Sequence, residues 1–266
     1  MSSVKVLYED NHIIAVVKPA GLLTQGDKSG EASLYDMVKD YIRIKKGKPL
    51  PGNARPVGNS QPIGRFPARS AGVVSSGVFL GLVHRLDKPV QGIVLFGKTS
   101  KGASRLSEQF REHTIQKTYH AIVVGKLDKQ KGEIKEKVNK ISFFAEGFTN
   151  KTDAELLEEI KKATKTRTAE LSWEVVKSND KYSLLKIMPK TGRFHQIRIQ
   201  MANMGHPILG DAKYSTQKPL PDRSIALCAT AISFKTATLQ PGPGQAEDKV
   251  INLEIPLPEE WESFLK

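Results

Sequence analysis

A chain of 266 residues with 39% hydrophobic residues is long enough to bury a substantial core, which excludes a largely disordered protein. Lys and Arg outnumber Asp and Glu by 41 to 28, so the net charge is +13 and the pI is near 9.7. This excess favours a polyanionic partner, with nucleic acid before an anionic membrane surface. The single cysteine, Cys228, excludes an intrachain disulfide and a cysteine-based metal cluster.

The N-terminal residues lack the apolar core of a signal peptide. No stretch of the sequence is apolar for long enough to span a bilayer, since even the least charged window, Gly72 to Val83, is too short. We therefore expect a cytoplasmic protein without a membrane partner.

The first third of the chain predicts two strands, a helix and a basic loop. Apolar runs at 4–8 and 13–17 flank a polar turn and predict strands, and apolar spacing predicts a helix over about 32–44. Residues 46–80 contain five prolines, six glycines, five Lys or Arg and no acidic residue. This composition predicts a mobile basic insertion at about 46–77, either a passive loop or one that orders on a bound polyanion.

The rest of the chain predicts more strands than helices. Strands are predicted at 78–86, 92–96, 118–125, 168–176, 182–188 and 225–234, and helices after Thr99 or Ser100 and at 152–164, 194–204 and 259–265. Because strands and helices do not alternate regularly, the pattern favours an α+β fold with a mixed, largely antiparallel sheet flanked by helices and loops. We expect one catalytic domain over residues 1–266.

Two polar islands interrupt apolar segments. In "VHRLDKPVQGIVLFGKT" (83–99), Asp87 follows Arg85 between two predicted strands. A salt-bridged turn is the simpler interpretation of Asp87 taken alone, since unpaired buried charge is costly.

The second island, "KTGRFHQIRIQ" (190–200), places Arg193, His195 and Arg198 at the start of a predicted helix. Residues three apart share a helix face, so His195 and Arg198 are expected to project together. A buried arginine needs an anionic partner, for which Asp87 is a candidate.

Common cofactor motifs are absent from the sequence. There is no GxxxxGK[ST], GxGxxG, HExxH or GxSxG motif, and the six histidines show no paired metal spacing. We therefore expect no metal and no nucleotide or other cofactor.

Four segments closely resemble the motifs of RluA-type pseudouridine synthases. They are "LYEDNHIIAVVKPAG", "GLVHRLDKPVQGIVLFGKT", "QKTYHAIVVG" and "TGRFHQIRIQMANMGHPILGDAKY", in family order over about residues 4–234. The resemblance implies the pseudouridine synthase fold, without an N-terminal S4-type domain. It implies isomerisation of specific uridines in structured RNA, with ribosomal RNA more favoured than tRNA, by a chain expected to be monomeric.

The resemblance also implies roles for particular residues. Asp87 supplies the catalytic carboxylate, Tyr119 lies against the uracil ring, and Arg198 pairs with Asp87 and keeps it charged. Further residues are expected to contact substrate or flanking RNA, with Arg85 holding the position vacated by a flipped base; these are His84, Arg85, Arg193, His195, Gln196, Ile208 and Leu209.

The sequence departs from the family pattern at two places. Val90-Gln91 replaces the usual Thr-Ser, and Cys228 stands where histidine is common. Two other functions therefore stay open: a catalytically silent RNA-binding or ribosome-assembly factor on the same scaffold, and an unrelated basic hydrolase with an Asp–Arg site.

Overall fold

The structure is a computed structural model that describes residues 4–28, 30–47, 77–138, 167–236 and 249–266. Most of the predicted basic insertion and the whole predicted helix at 152–164 lie outside these residues. The chain divides into two compact units. Unit 1 comprises residues 1–116, 222–224 and 228–256; unit 2 comprises residues 117–221, 225–227 and 257–266. The single catalytic domain stays a prediction.

The described residues form ten strands, three α-helices and a C-terminal 3-10 helix. The strands are β1 (Lys5–Glu9), β2 (Ile13–Lys18), β3 (Gly81–Leu82), β4 (Gln91–Gly97), β5 (Gln116–Val124), β6 (Lys131–Val138), β7 (Arg167–Ser178), β8 (Tyr182–Pro189), β9 (Leu227–Lys235) and β10 (Val250–Glu254). The helices are α1 (Leu34–Lys45), α2 (Ser100–Arg111), α3 (Gln196–Asn203) and the 3-10 helix Glu259–Phe264. None of the described helices is both long and apolar enough to cross a membrane.

Unit 1 is built on the strand order β1-β2-β4-β9, with β3 added to β4 and β10 to β9. All of these pairs are antiparallel except β4 with β9, which run parallel. Gly92 has a φ of +136°, and a Cβ at this position would lie 2.4 Å from the carbonyl oxygen of Ala229. The close parallel contact between β4 and β9 therefore requires glycine.

Unit 2 is built on the antiparallel order β5-β8-β7-β6. Helix α3 is buried over its first six residues, so it carries polar side chains into the interior of this unit. Ile199 of α3 packs in a cluster with Val138, Ala169 and Tyr214.

The predicted α+β fold with mixed, mostly antiparallel strands is confirmed. The helix predicted after Thr99 is also present, and the Thr99 hydroxyl caps it by accepting from the Gly102 amide. The strand predicted over 78–86 is wrong in extent, because only Gly81–Leu82 pairs as β3. Strand β6 was not predicted, because its sequence KGEIKEKV is mostly charged and its stability comes from the ladder with β7. Helix α3 begins at Gln196 because His195 adopts a left-handed φ of 50°.

Glu9 at the end of β1 ties three elements of unit 1 together. Its carboxylate accepts from Lys45 at 2.7 Å, from Lys98 at 2.5 Å and from the Tyr41 hydroxyl at 2.9 Å. Burial raises the pKa of Glu9, but the hydrogen bonds from Lys45, Lys98 and Tyr41 outweigh it and lower the pKa to about 2. The ionised carboxylate thus joins β1 to α1 and to the end of β4.

We expect Glu9→Gln to lower the melting temperature at pH 7, with a deficit that narrows as the pH falls from about 4.5 towards 2. The reason is that a carboxylate with a depressed folded pKa contributes stability above its unfolded pKa and loses it as it is protonated. Thermal unfolding from pH 3 to 7 measures this. The control is Glu108→Gln, whose side chain is 54% exposed and which should change little at any pH. A pH-independent deficit for Glu9→Gln would contradict the expectation.

Candidate functional site

The backbone around Asp87 is held by the segment that follows β2. The Thr24 hydroxyl donates to the Leu86 carbonyl at 2.7 Å and accepts from the Leu86 amide at 3.1 Å. On the other side of Asp87, the Val90 amide donates to the Asp87 carbonyl at 3.0 Å and closes the turn. Both Thr24 and Leu86 are buried, while Asp87 is partly exposed. The carboxylate therefore stands on a turn whose neighbouring residues are fixed.

Lys18 is the buried anchor of this turn. Its side chain is fully buried, and its Nζ donates to the carbonyls of Pro19 at 3.0 Å, Leu22 at 2.7 Å and Lys88 at 3.1 Å. The Gly21 amide also donates to the Lys88 carbonyl, at 2.8 Å. Three carbonyls match the three N–H donors of one ammonium group. Lys18 thus joins the Lys-Pro-Ala-Gly turn to the residue that follows Asp87.

The charge of Lys18 is sensitive to pH. Burial lowers the pKa of Lys18 to about 7, and the charge of Asp87 acts in the opposite direction. Protonation of Lys18 near neutral pH therefore depends in part on an ionised Asp87.

His84 and Arg85 have different surroundings, although they are adjacent in sequence. The His84 Nε2 accepts from the Leu95 amide at 2.9 Å, and its ring lies 4.7 Å from the Phe110 ring. Because Nε2 accepts, the proton of a neutral His84 ring is on Nδ1. Arg85 is exposed. The structure therefore shows His84 as a link to β4, whereas Arg85 lies at the surface and its expected role stays a prediction.

The two departures from the family pattern meet in unit 1. Gln91 and Cys228 are partners in the parallel pairing of β4 with β9, and the Gln91 Nε2 lies 3.8 Å from the Cys228 Sγ. Val90 is buried next to Gln91. The two positions are far apart in the sequence, but in the structure the side chains of Gln91 and Cys228 are in contact.

In unit 2, Arg198 forms a buried bidentate ion pair with Asp211. The Arg198 Nε lies 2.7 Å from Asp211 Oδ2 and its Nη2 lies 2.8 Å from Oδ1. Arg198 is 6% exposed and Asp211 is 1% exposed. The expected burial of Arg198 beside an anion is confirmed, and the anion in this unit is Asp211. The pairing of Arg198 with Asp87 stays a prediction.

His195 lies between Arg198 and Tyr214. The predicted contact with Arg198 is present, but the predicted shared helix face is wrong, because His195 precedes the helix in a left-handed conformation. Its Nδ1 is 2.7 Å from the Tyr214 hydroxyl and its Nε2 is 3.4 Å from the Arg198 Nη1. Since guanidinium can only donate, Nε2 accepts and Nδ1–H donates to the Tyr214 oxygen. His195 is thus oriented by two neighbours, one of which belongs to the ion pair.

Gln196 is buried and its amide is used within the protein. The oxygen accepts from the Thr191 hydroxyl at 2.7 Å and from the Arg193 amide at 3.0 Å, and the nitrogen donates to the Glu170 carbonyl at 3.1 Å. Arg193 donates from Nε to the Thr168 carbonyl at 3.0 Å. Gln196 is therefore better placed to shape the 191–195 loop than to contact RNA.

Ile208 and Leu209 lie against β5. Ile208 is 0% exposed and Leu209 is 8% exposed, and the Leu209 amide donates to the Ile122 carbonyl at 2.9 Å. Tyr119 is on the same strand, partly exposed and opposite Ile187 of β8. Tyr119 therefore belongs to the strand against which the Ile208–Leu209 segment packs.

Lys117 connects β5 to the 191–195 loop. It lies two residues before Tyr119 and so on the same face of the strand, and its Nζ donates to the Thr191 carbonyl at 3.3 Å. Burial lowers the pKa of Lys117. The Tyr119 face of β5 and the loop that begins at Thr191 are thereby neighbours.

Sequence reasoning missed Lys18, Thr24 and Asp211 as residues that position the candidate groups. The quoted segments contain Lys18 in "KPAG" and Asp211 in "GDAKY", but neither has a spacing that predicts its partner. Among the described residues, no three His, Cys, Asp or Glu side chains come together as a metal site would require.

Comparisons with known proteins agree on one family. The family model of RNA pseudouridylate synthase matches residues 12–203. Ribosomal large subunit pseudouridine synthase C of Rickettsia bellii is 32% identical over 255 residues, which cover 95% of this chain and 68% of that protein. tRNA pseudouridine synthase C of Haemophilus ducreyi is 31% identical over 214 residues, which cover 79% of this chain and 73% of that protein.

A solved structure supports the fold. Human RNA pseudouridylate synthase domain containing 4 aligns with a TM-score of 0.64 at 19% identity, covering 97% of this chain and 90% of that one. The chain spans between about half and three quarters of the length of the curated relatives that it matches.

We expect Lys18→Met to destabilise the protein by about 2 kcal/mol or more, because the Pro19 and Leu22 carbonyls lose the Lys18 donor, while the Lys88 carbonyl keeps only the Gly21 amide. The folded pKa of about 7 lies below the unfolded value of 10.5, so the unfolded chain binds more protons between these pH values. The stability of the wild type should therefore rise relative to Lys18→Met from pH 7 to 10. Urea unfolding across this range tests both points. Lys88→Met, which removes an exposed ion pair, is the control, and parallel pH curves for wild type and Lys18→Met would refute the assignment.

We expect Asp211→Ala to destabilise the protein by about 3–5 kcal/mol, because it leaves the Arg198 guanidinium buried without its carboxylate. The double variant Arg198→Met with Asp211→Leu should recover most of this stability, since both charges are removed together. Urea unfolding of the three proteins gives the comparison. Equal instability of the single and double variants would show that packing, not the ion pair, dominates.

Proposed function

Because the chain belongs to the RNA pseudouridylate synthase family of isomerases, we propose that it converts specific uridines of structured RNA to pseudouridine. The resemblance read from the four motifs is confirmed at the level of the family. Relatives named for ribosomal large subunit RNA and for tRNA both match. We propose ribosomal RNA as the substrate before tRNA, with Arg85 and the basic surface engaging it.

The observation that carries the proposal is the way in which Asp87 is held. Its turn is fixed on both sides by buried groups, namely Thr24 at Leu86 and Lys18 at Lys88, while the carboxylate is partly exposed. A residue that acts as a nucleophile or charge stabiliser needs such a rigid support. A surface ion pair does not.

The reaction is an isomerisation and its atoms balance within the nucleoside. The N1–C1′ bond breaks, the base turns, C5 joins C1′, and the proton lost from C5 is matched by the proton gained at N1. We propose that the Asp87 carboxylate promotes cleavage of N1–C1′ in one of three ways: it attacks C1′ and displaces the base, it attacks the base, or it promotes elimination to a ribose glycal.

Tyr119 and Arg198 complete the proposed catalytic set. Tyr119 stacks on the uracil ring, a role that its partly exposed position on β5 allows. Arg198 is proposed to pair with Asp87 through donors that remain beside its ion pair with Asp211. His195 and Asp211 hold Arg198 in place from within unit 2. Gln196 and Ile208 belong to the same unit as Tyr119 and Arg198, and His84 lies three residues before Asp87 in the other unit.

We expect RNA labelled with tritium at uridine C5 to release tritium in the presence of the protein, and Asp87→Asn to reduce the rate at least about 1,000-fold. The carboxamide keeps the size of the side chain but removes its nucleophilic charge. Ribosomal RNA and tRNA transcripts are tested in parallel. Asp128→Asn, a change at an exposed carboxylate in another turn, is the matched control and should retain full activity.

Either failure of this experiment is informative. Release from tRNA but not from ribosomal RNA would keep the reaction and change the substrate. No release from either transcript, with salt-sensitive RNA binding retained, would favour a catalytically silent RNA-binding factor on the same scaffold.

A further inference from the structure

Phe194 is a half-exposed aromatic residue that none of the proposed catalytic roles uses. Its side chain is 52% exposed, in the loop before α3. The Phe194 ring lies face to face with the His195 ring, with 3.8 Å between centroids and 13° between planes. The His195 ring therefore covers one face of the Phe194 ring, while about half of the residue stays accessible.

A chain of contacts fixes the orientation of this ring from the interior. His195 adopts a left-handed φ of 50°, which is unfavourable for a residue other than glycine. The His195 ring is held by Tyr214 at 2.7 Å and by Arg198 at 3.4 Å. Arg198 is in turn fixed by the buried carboxylate of Asp211. The exposed ring is therefore presented by a rigid, strained support.

A positive charge lies over the ring. The exposed Lys213 places its Nζ over the Phe194 ring, 5.8 Å from its centroid, and over the Tyr214 ring, also 5.8 Å from its centroid, so this long side chain would move aside towards a phosphate when a base stacks on Phe194. A flat aromatic surface with an adjacent ammonium group matches the base and the phosphate of one nucleotide.

We propose that Phe194, backed by His195, is a stacking platform for an unpaired base of the bound RNA, and that Lys213 contacts the phosphate of the same strand. This base is separate from the target uridine, for which Tyr119 is proposed. The proposal rests on the proposed function only in taking RNA as the partner. Thr191 is bonded to Lys117 on the Tyr119 face of β5, so the platform lies in the same part of unit 2.

The chemistry of the patch favours RNA over a protein partner. An apolar protein surface would have to desolvate Lys213, whereas a nucleotide strand pairs with it. The net charge of +13 also favours a polyanion. If the ring serves a protein partner instead, Phe194→Ala will bind RNA like the wild type in the following test.

The test compares two probes with the same backbone charge: a 12-nucleotide oligouridylate and a 12-nucleotide abasic RNA, each labelled for fluorescence anisotropy. We expect Phe194→Ala to weaken binding of oligouridylate about tenfold and to leave binding of the abasic strand unchanged. Phe194→Leu, which keeps apolar area without a π face, should also lose affinity, and Phe194→Trp should retain it. The melting temperature of each variant confirms that the fold is intact.

Two control variants sharpen the assignment. Phe79→Ala removes a ring that is 49% exposed elsewhere in the chain and should not change binding of either probe. Lys213→Met should weaken both probes and reduce the salt dependence of binding, because it removes a phosphate contact rather than a base contact.

The proposal is overturned if Phe194→Ala binds oligouridylate like the wild type, or if Phe79→Ala loses as much affinity as Phe194→Ala. It is also overturned if the abasic strand loses affinity equally, since the ring would then not contact a base. This result is independent of the tritium assay. If tritium is released but Phe194→Ala does not change RNA binding, the proposed reaction stands and the stacking role of Phe194 is wrong. If Phe194→Ala weakens RNA binding but no tritium is released, the protein binds RNA without catalysing the reaction.

Discussion

The buried ammonium group of Lys18 is the interaction on which the candidate catalytic turn depends. Burying an amine is costly unless every donor is used, and here three carbonyls use all three. One of these carbonyls, that of Lys88, belongs to the residue after Asp87. The hydrogen bonds that stabilise the buried ammonium group therefore also fix the backbone next to the Asp87 carboxylate. Lys18 thus contributes both to the stability of the fold and to the geometry of the candidate catalytic turn.

In unit 2 a buried negative charge has the corresponding role. The Asp211 carboxylate binds Arg198, Arg198 orients His195, and the His195 ring stacks on the exposed ring of Phe194. A buried ion pair of this kind is weak evidence for added stability, but it fixes direction well. Its value in this fold is that a polar side chain deep in the unit determines the geometry of groups at the surface.

The two departures from the family pattern also acquire a physical meaning. Gln91 and Cys228 replace residues at positions that face each other across the parallel contact of β4 with β9. A change at one such position alters the space and the hydrogen bonding of the other. In this structure the two residues pack against each other, and the Asp87 turn keeps its hydrogen bonds to Thr24 and Lys18.

The sequence by itself determined the fold class, most of the strands and the candidate residues Asp87, Tyr119 and Arg198, because apolar periodicity and the motif segments are local signals. It also predicted His195 beside Arg198, but for a reason that the structure does not bear out, since His195 lies outside the helix and reaches Arg198 from a left-handed conformation. It did not show that Asp211 pairs with Arg198, that Lys18 is bonded to the Lys88 carbonyl, or that charged strand β6 pairs with β7. These depend on contacts between segments distant in the chain or on the exact direction of a side chain, which only tertiary packing decides.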